Sequence, residues 1–155
     1  MLTQLVLASV MALVTVAIHL TGLALLLRVL RSRHSLVRPL RDAPLAILLV
    51  ATVTVFAIHS VEIWLYAFLY LLLGALPDFE VALYFSTVTY SSVGYGDVLL
   101  PEKWRILGAI EGATGIIMLG WSTAFLVSLL AQLRLLSHDW LAAEAPGSAR
   151  AELTR

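Results

Sequence analysis

The stretch Thr87–Asp97, TVTYSSVGYGD, sets hydroxyls, two glycines and one carboxylate between long apolar runs. Such residues suit a desolvated cation, which needs oxygen ligands close enough to replace its water shell. Backbone carbonyls supply them without net charge if successive ones point the same way, and glycine reaches the required φ/ψ values at little steric cost. Gly94 and Gly96 alternate with Val93 and Tyr95, whose side chains are free to pack outward. A second group, Glu62, His59, His19 and Glu111, lies inside apolar runs. In a membrane, ionisable groups at such places are costly and are functional or paired. His59 and Glu62 are three apart, so they share a helix face.

Composition decides what surrounds these residues. The chain of 155 residues is 61% hydrophobic and only 13% charged, where a soluble domain carries about 25% charge. The deficit of charge points to a membrane protein, and the long uncharged spans to an all-α membrane protein. There are no cysteines, which excludes disulfides and thiolate chemistry. Formal net charge is zero, so the charge offers no general attraction for nucleic acid.

Leu2–Leu27 contains no Asp, Glu, Lys or Arg and is long enough to span about 30 Å of hydrocarbon. A signal peptide would start with positive charge, whereas MLTQ has none, so a retained helix is expected. Arg28–Asp42 carries five arginines and reads as a cytoplasmic loop. The N-terminus is then outside, the C-terminus cytoplasmic, and the location a cell (inner) membrane crossed several times. Residues 1–43 form the first helix and its basic linker, 44–73 a second helix and 105–136 a third, with 137–155 a short tail.

Between the second and third spans, Val81–Gly96 is uncharged but only 16 residues long, and seven of these are Ser, Thr or Gly. It is too short and too polar to cross lipid. It reads as a re-entrant segment, a half-helix over 80–91 followed by an irregular stretch over 92–97. Such backbone is tolerated only when sheltered by protein or facing water. One small chain offers little shelter, so copies of itself around an axis are expected to provide it. Four copies would stack oxygen rings from the Ser92, Val93, Gly94 and Tyr95 carbonyls, with the Ser92 hydroxyl innermost. The half-helix would aim its negative C-terminal end at a cation below them.

At SVGYG followed by Asp97, the chain resembles the potassium-channel pore family, whose signature is a Thr-Val-Gly-Tyr-Gly filter before an Asp. The resemblance covers 44–136 and implies a homotetramer that conducts K+ passively, with K+ bound in the filter and no other cofactor or enzymatic activity. Ser92 stands where the family usually has Thr, keeping the hydroxyl and losing a methyl. Val88 stands where several members carry Glu. Asp97, Tyr84 and Thr89 are the implied filter supports, with Tyr84 placed to hydrogen-bond Asp97.

The family also bends its inner helix at a glycine about 18 to 20 residues after the filter Asp. Gly115 matches best, and Gly112 and Gly120 are rivals; close helix packing is the alternative use of all three. The run EGATG resembles the same helix of bacterial inward rectifiers. Two stripes are candidates for the pore lining: Gly115, Leu119, Thr123 and Val127, or Met118, Ser122, Phe125 and Leu129. Leu133, Leu136, Trp140 and Ala143 form a short tail stripe that either bundles four helices or lies on the membrane surface. Glu62, His59, Glu111 and His19 are expected either to hold the filter surroundings in place or to form a proton-linked gate. Metal binding would need more ligands than these. The likeness of VTVAIH and VTVFAIH is read as shared membrane composition, with a contact between the two histidines left open.

The leading reading is a potassium-selective channel. Its alternatives are a weakly selective monovalent cation channel and a non-conducting regulatory subunit. An intramembrane enzyme using Ser122, or His59 with Glu62, is remote, because no serine, base and orienting acid are placed together.

Overall fold

Runs of Leu, Val, Ala and Ile with few breakers fold into helices throughout the computed structural model, which describes residues 1–32 and 43–133. Among these residues there are four α-helices: α1 (Leu2–Arg31), α2 (Pro44–Leu72), α3 (Phe79–Tyr90) and α4 (Arg105–Gln132), with a 3-10 turn at Glu102–Trp104. No strand occurs among the described residues. The first, second and fourth helices are each long and apolar enough to cross a membrane. The expected basic linker beyond Ser32 and the stripe at Leu136, Trp140 and Ala143 lie outside the described residues.

Local chemistry sets the helix ends. Pro44 opens α2, where its missing N–H costs nothing and its fixed φ suits the first turn. The C-terminus of α2 closes with Gly74 at φ 57°. The Gly74 and Ala75 N–H groups donate to the Leu71 and Tyr70 carbonyls, each at 2.9 Å, which satisfies two otherwise orphaned acceptors. Four residues later the Asp78 side chain caps α3 by accepting from the Val81 N–H at 2.9 Å. Helix α3 has 12 residues, about 18 Å at 1.5 Å per residue, so it cannot span the bilayer.

The three long helices pack in a fixed register. The Gln4 side chain accepts from the Ile106 N–H at 3.2 Å, a separation of 102 residues. His19 meets Ser122 at a separation of 103. Leu26 and Leu129 share one apolar cluster. A near-constant offset from one end to the other means that α1 and α4 run parallel. Helix α2 runs opposite to both, with His19 meeting Glu62 and Gly22 meeting Ile58. Two apolar clusters result. One, near α3, is built on Met11, Tyr66, Tyr70, Phe85 and Leu107. The other, at the far end, is Leu26, Ala51 and Leu129.

Candidate functional site

Helix α3 leans on α2 and α4 and delivers the chain into the glycine-rich stretch. Phe85 and Tyr90, with Ala82 and Ser86, form its buried side. Beyond Ser91 the backbone leaves the helix with two short-range bonds, Ser92 N–H to Thr89 O at 2.9 Å and Gly94 N–H to Val88 O at 3.0 Å. φ is positive at Ser92 (59°), Gly94 (53°) and Gly96 (78°), and is not positive at Val93 or Tyr95. The hand of the backbone therefore alternates residue by residue. A strand sends successive carbonyls to opposite sides; alternating hand breaks that pattern and lets them share one side. Glycine accepts this geometry readily, while Ser92 is a non-glycine residue in a left-handed conformation.

All seven residues from Ser91 to Asp97 are exposed in the single chain. The Ser92 hydroxyl sits 3.4 Å from the Gly112 carbonyl of α4. Asp97 is fixed from two sides. The Tyr84 hydroxyl donates to its Oδ2 at 2.7 Å, and the Val98 N–H donates to its Oδ1 at 3.1 Å. The Tyr84 hydrogen bond holds the Asp97 carboxyl below the usual carboxylate range. Thr89 contributes through its backbone carbonyl, and its methyl lies near Gly112.

Behind this loop lie two buried polar groups. Glu111 is fully buried, with Tyr70 donating to Oε2 at 2.5 Å. The Ser86 Oγ is 2.5 Å from its Oε1 and also 2.9 Å from the Ile63 carbonyl. Glu111 thus ties α4 to α2 and, through Ser86, to α3.

The second group joins all four helices. Glu62 is fully buried. His19 Nδ1 lies 3.1 Å from Glu62 Oε1, and His59 Nδ1 lies 3.1 Å from Oε2. The Tyr90 hydroxyl donates to Glu62 Oε2 and is 2.9 Å from His59 Nδ1. On the other side of both rings, the Ser122 Oγ is 2.9 Å from His59 Nε2 and 3.3 Å from His19 Nε2. The two rings are 5.1 Å apart, so the matching VTVAIH and VTVFAIH segments do bring their histidines together.

One expectation needs correction. Ser122, His59 and Glu62 are not separate: they line up as hydroxyl, imidazole and carboxylate. The separation of 63 residues between His59 and Ser122 hid this, because only the packing of α4 against α2 aligns them. Ser122 is nevertheless 4% exposed, in mid-helix, where neighbouring N–H groups are bound within the helix and none is free to stabilise an oxyanion. Of the two α4 stripes left open, one is internal. Met118, Ser122 and Leu129 are buried inside the subunit, so that stripe does not line an opening. Of the other stripe, Leu119, Thr123 and Val127 are exposed, while Gly115 is buried.

Gly115 owes its burial to α3. A Cβ at this position would lie 2.0 Å from the Tyr90 carbonyl oxygen, so the two backbones touch here. Gly112 is a looser version, 3.2 Å from the Thr89 carbonyl, and Gly120 faces open space. α4 runs unbroken from Arg105 to Gln132.

A protein-family model described as an ion channel matches residues 45–132, which is α2 through α4 and more than half of the chain. No curated protein matches, and no solved structure does.

Proposed function

Because the chain belongs to the ion channel family, we propose that it is a potassium-selective channel whose pore is formed by four copies. The observation that carries this reading is the alternating backbone at Ser92, Gly94 and Gly96. It favours stacked carbonyls in a segment too short to cross lipid. The exposure of Ser91–Asp97 supports self-assembly, since irregular backbone at membrane depth needs protein or water around it. In a tetramer, the carbonyls of Ser92, Val93, Gly94 and Tyr95 and the Ser92 hydroxyl face the axis as K+ ligands. Asp97, Tyr84 and Thr89 support the loop from behind. The exposed face of α4, with Ile116, Gly120, Thr123 and Val127, lines the path below. The five arginines of Arg28–Asp42 favour a cytoplasmic linker, which puts the N-terminus outside and the filter on the outer side.

Purified protein in a planar bilayer, with K+ on one side and Na+ on the other, tests this directly. The expected reversal potential is near the K+ equilibrium value. Reversal near zero with clear current supports the weakly selective alternative, which the missing methyl at Ser92 motivates. Absence of current in a properly assembled sample would move the chain to a non-conducting subunit.

The Tyr84–Asp97 bond yields a pH prediction. Asp97 has its pKa lowered by Tyr84, so its support of the loop is complete above the ordinary carboxylate pKa and is lost as pH falls through the lowered value. Tyr84→Phe removes the bond, and acid block of the current is expected to begin at higher pH than in the wild type. Identical acid-block midpoints in the two proteins would show that Asp97 does not limit the loop.

A further inference from the structure

We propose that His19, His59 and Glu62 bind one divalent transition-metal ion of the zinc class at the junction of α1, α2 and α3. Their ligand atoms already lie within 4.8 Å of one another. Each histidine Nδ1 is 3.1 Å from a Glu62 oxygen. A tetrahedral zinc site with ligand bonds of about 2.0–2.1 Å has ligand-to-ligand distances of about 3.3–3.4 Å, so small movements suffice. The Tyr90 hydroxyl, 2.9 Å from His59 Nδ1, occupies the fourth corner.

The far side of both rings carries an independent argument. A hydroxyl oxygen has two lone pairs. Ser122 Oγ, 2.9 Å from His59 Nε2 and 3.3 Å from His19 Nε2, is placed so that it can accept an Nε2–H from each ring. With both Nε2 atoms protonated, both Nδ1 lone pairs point toward Glu62, an arrangement in which neither imidazole donates to the carboxylate. A metal ion satisfies all of these acceptors at once, and the oxygen behind the imidazoles is the usual orienting partner of metal-bound histidine.

Charge points the same way. Glu62 is fully buried, and α2 carries no Lys or Arg; the basic residues of α1 are in its last turn and that of α4 is at its start. The carboxylate needs a counter-charge at close range. A divalent ion held by the Glu62 carboxylate supplies that counter-charge without a Lys or Arg. Two imidazoles with a carboxylate favour zinc over the all-oxygen sites of Mg2+ or Ca2+.

The test is metal content, which is independent of conduction. The full chain, purified in detergent without chelator, is incubated with Zn2+, desalted and analysed by elemental mass spectrometry. About one zinc per subunit is expected, and Co2+ in its place should give the visible absorption of a tetrahedral centre. His19→Gln should abolish retention. Ser122→Ala, which leaves all ligands and creates little volume change, should weaken affinity by about 10- to 100-fold. No stoichiometric metal in the wild type overturns the proposal and leaves the cluster to a bound proton. Equal retention by wild type and His19→Gln also overturns it, and places the metal on His34 or His138 instead.

Discussion

Gly115→Ala is expected to break the packing of the subunit. The new Cβ would fall 2.0 Å from the Tyr90 carbonyl oxygen and 2.8 Å from its carbon, both backbone atoms with no side chain to rotate away. α3 and α4 must then separate, at a cost at or above the upper end of the about 1–3 kcal/mol typical of overpacking. Because Tyr90 is the last residue of α3 and also holds Glu62, the displacement reaches both the loop and the buried cluster. The measurement is the thermal melting of the purified protein in detergent. Gly120→Ala is the control: nothing lies within 4 Å of its Cβ in the subunit, and alanine favours a helix by about 1 kcal/mol over glycine. If both variants melt like the wild type, the contact between α3 and α4 is not as tight as the geometry requires. The resemblance to pore-family inner helices assigns Gly115 the bend; the structure gives it a close backbone contact as well.

The second large effect is on function with the fold preserved. At Gly94, φ is 53° and no atom lies within 4 Å of a Cβ. Alanine there meets no clash, but an L-residue in the left-handed region costs about 1–2 kcal/mol. The loop is expected to relax by turning Gly94 to negative φ, which ends the alternation and swings one carbonyl away from its neighbours. Circular dichroism and particle size in detergent should match the wild type, while the reversal potential of the proposed K+ current moves toward zero. An unchanged reversal potential would mean that the alternation at this residue does not set selectivity.

What the sequence made legible follows from which forces act locally. The three spans stand out because hydrocarbon selects uncharged runs of fixed length, so Leu2–Leu27 announces itself residue by residue. The half-helix was readable because its polarity and length both violate that rule. Gly94 and Gly96 marked the special backbone by residue type; Ser92 did not, since nothing about a serine signals φ of 59°. The buried cluster was only half visible. His59 and Glu62 share a face by spacing alone, but His19 and Ser122 join them through helix-on-helix register, which depends on packing over 103 residues of separation. A faint signal existed, in the paired VTVAIH and VTVFAIH segments that put a histidine at matching depth in helices running opposite ways. The exposed face of α4 was undecidable from periodicity, because both stripes are apolar and only the position of α1 makes one of them internal.

The Gln4 contact has a consequence for how α4 is free to move. The start of α4 is tied to α1 at Ile106 N–H, and its middle at Ser122, both by polar contacts inside an apolar medium. Beyond Ser122 the contacts with α1 and α2 are apolar, through Phe125, Leu126 and Leu129. In lipid such contacts exchange with acyl chains at small cost, whereas a severed polar contact finds no replacement there. The last ten residues of the helix therefore form a lever arm of about 15 Å with its fulcrum near Ser122. By geometry, an inclination of that arm by about 20° would carry its tip some 5 Å, about one helical turn.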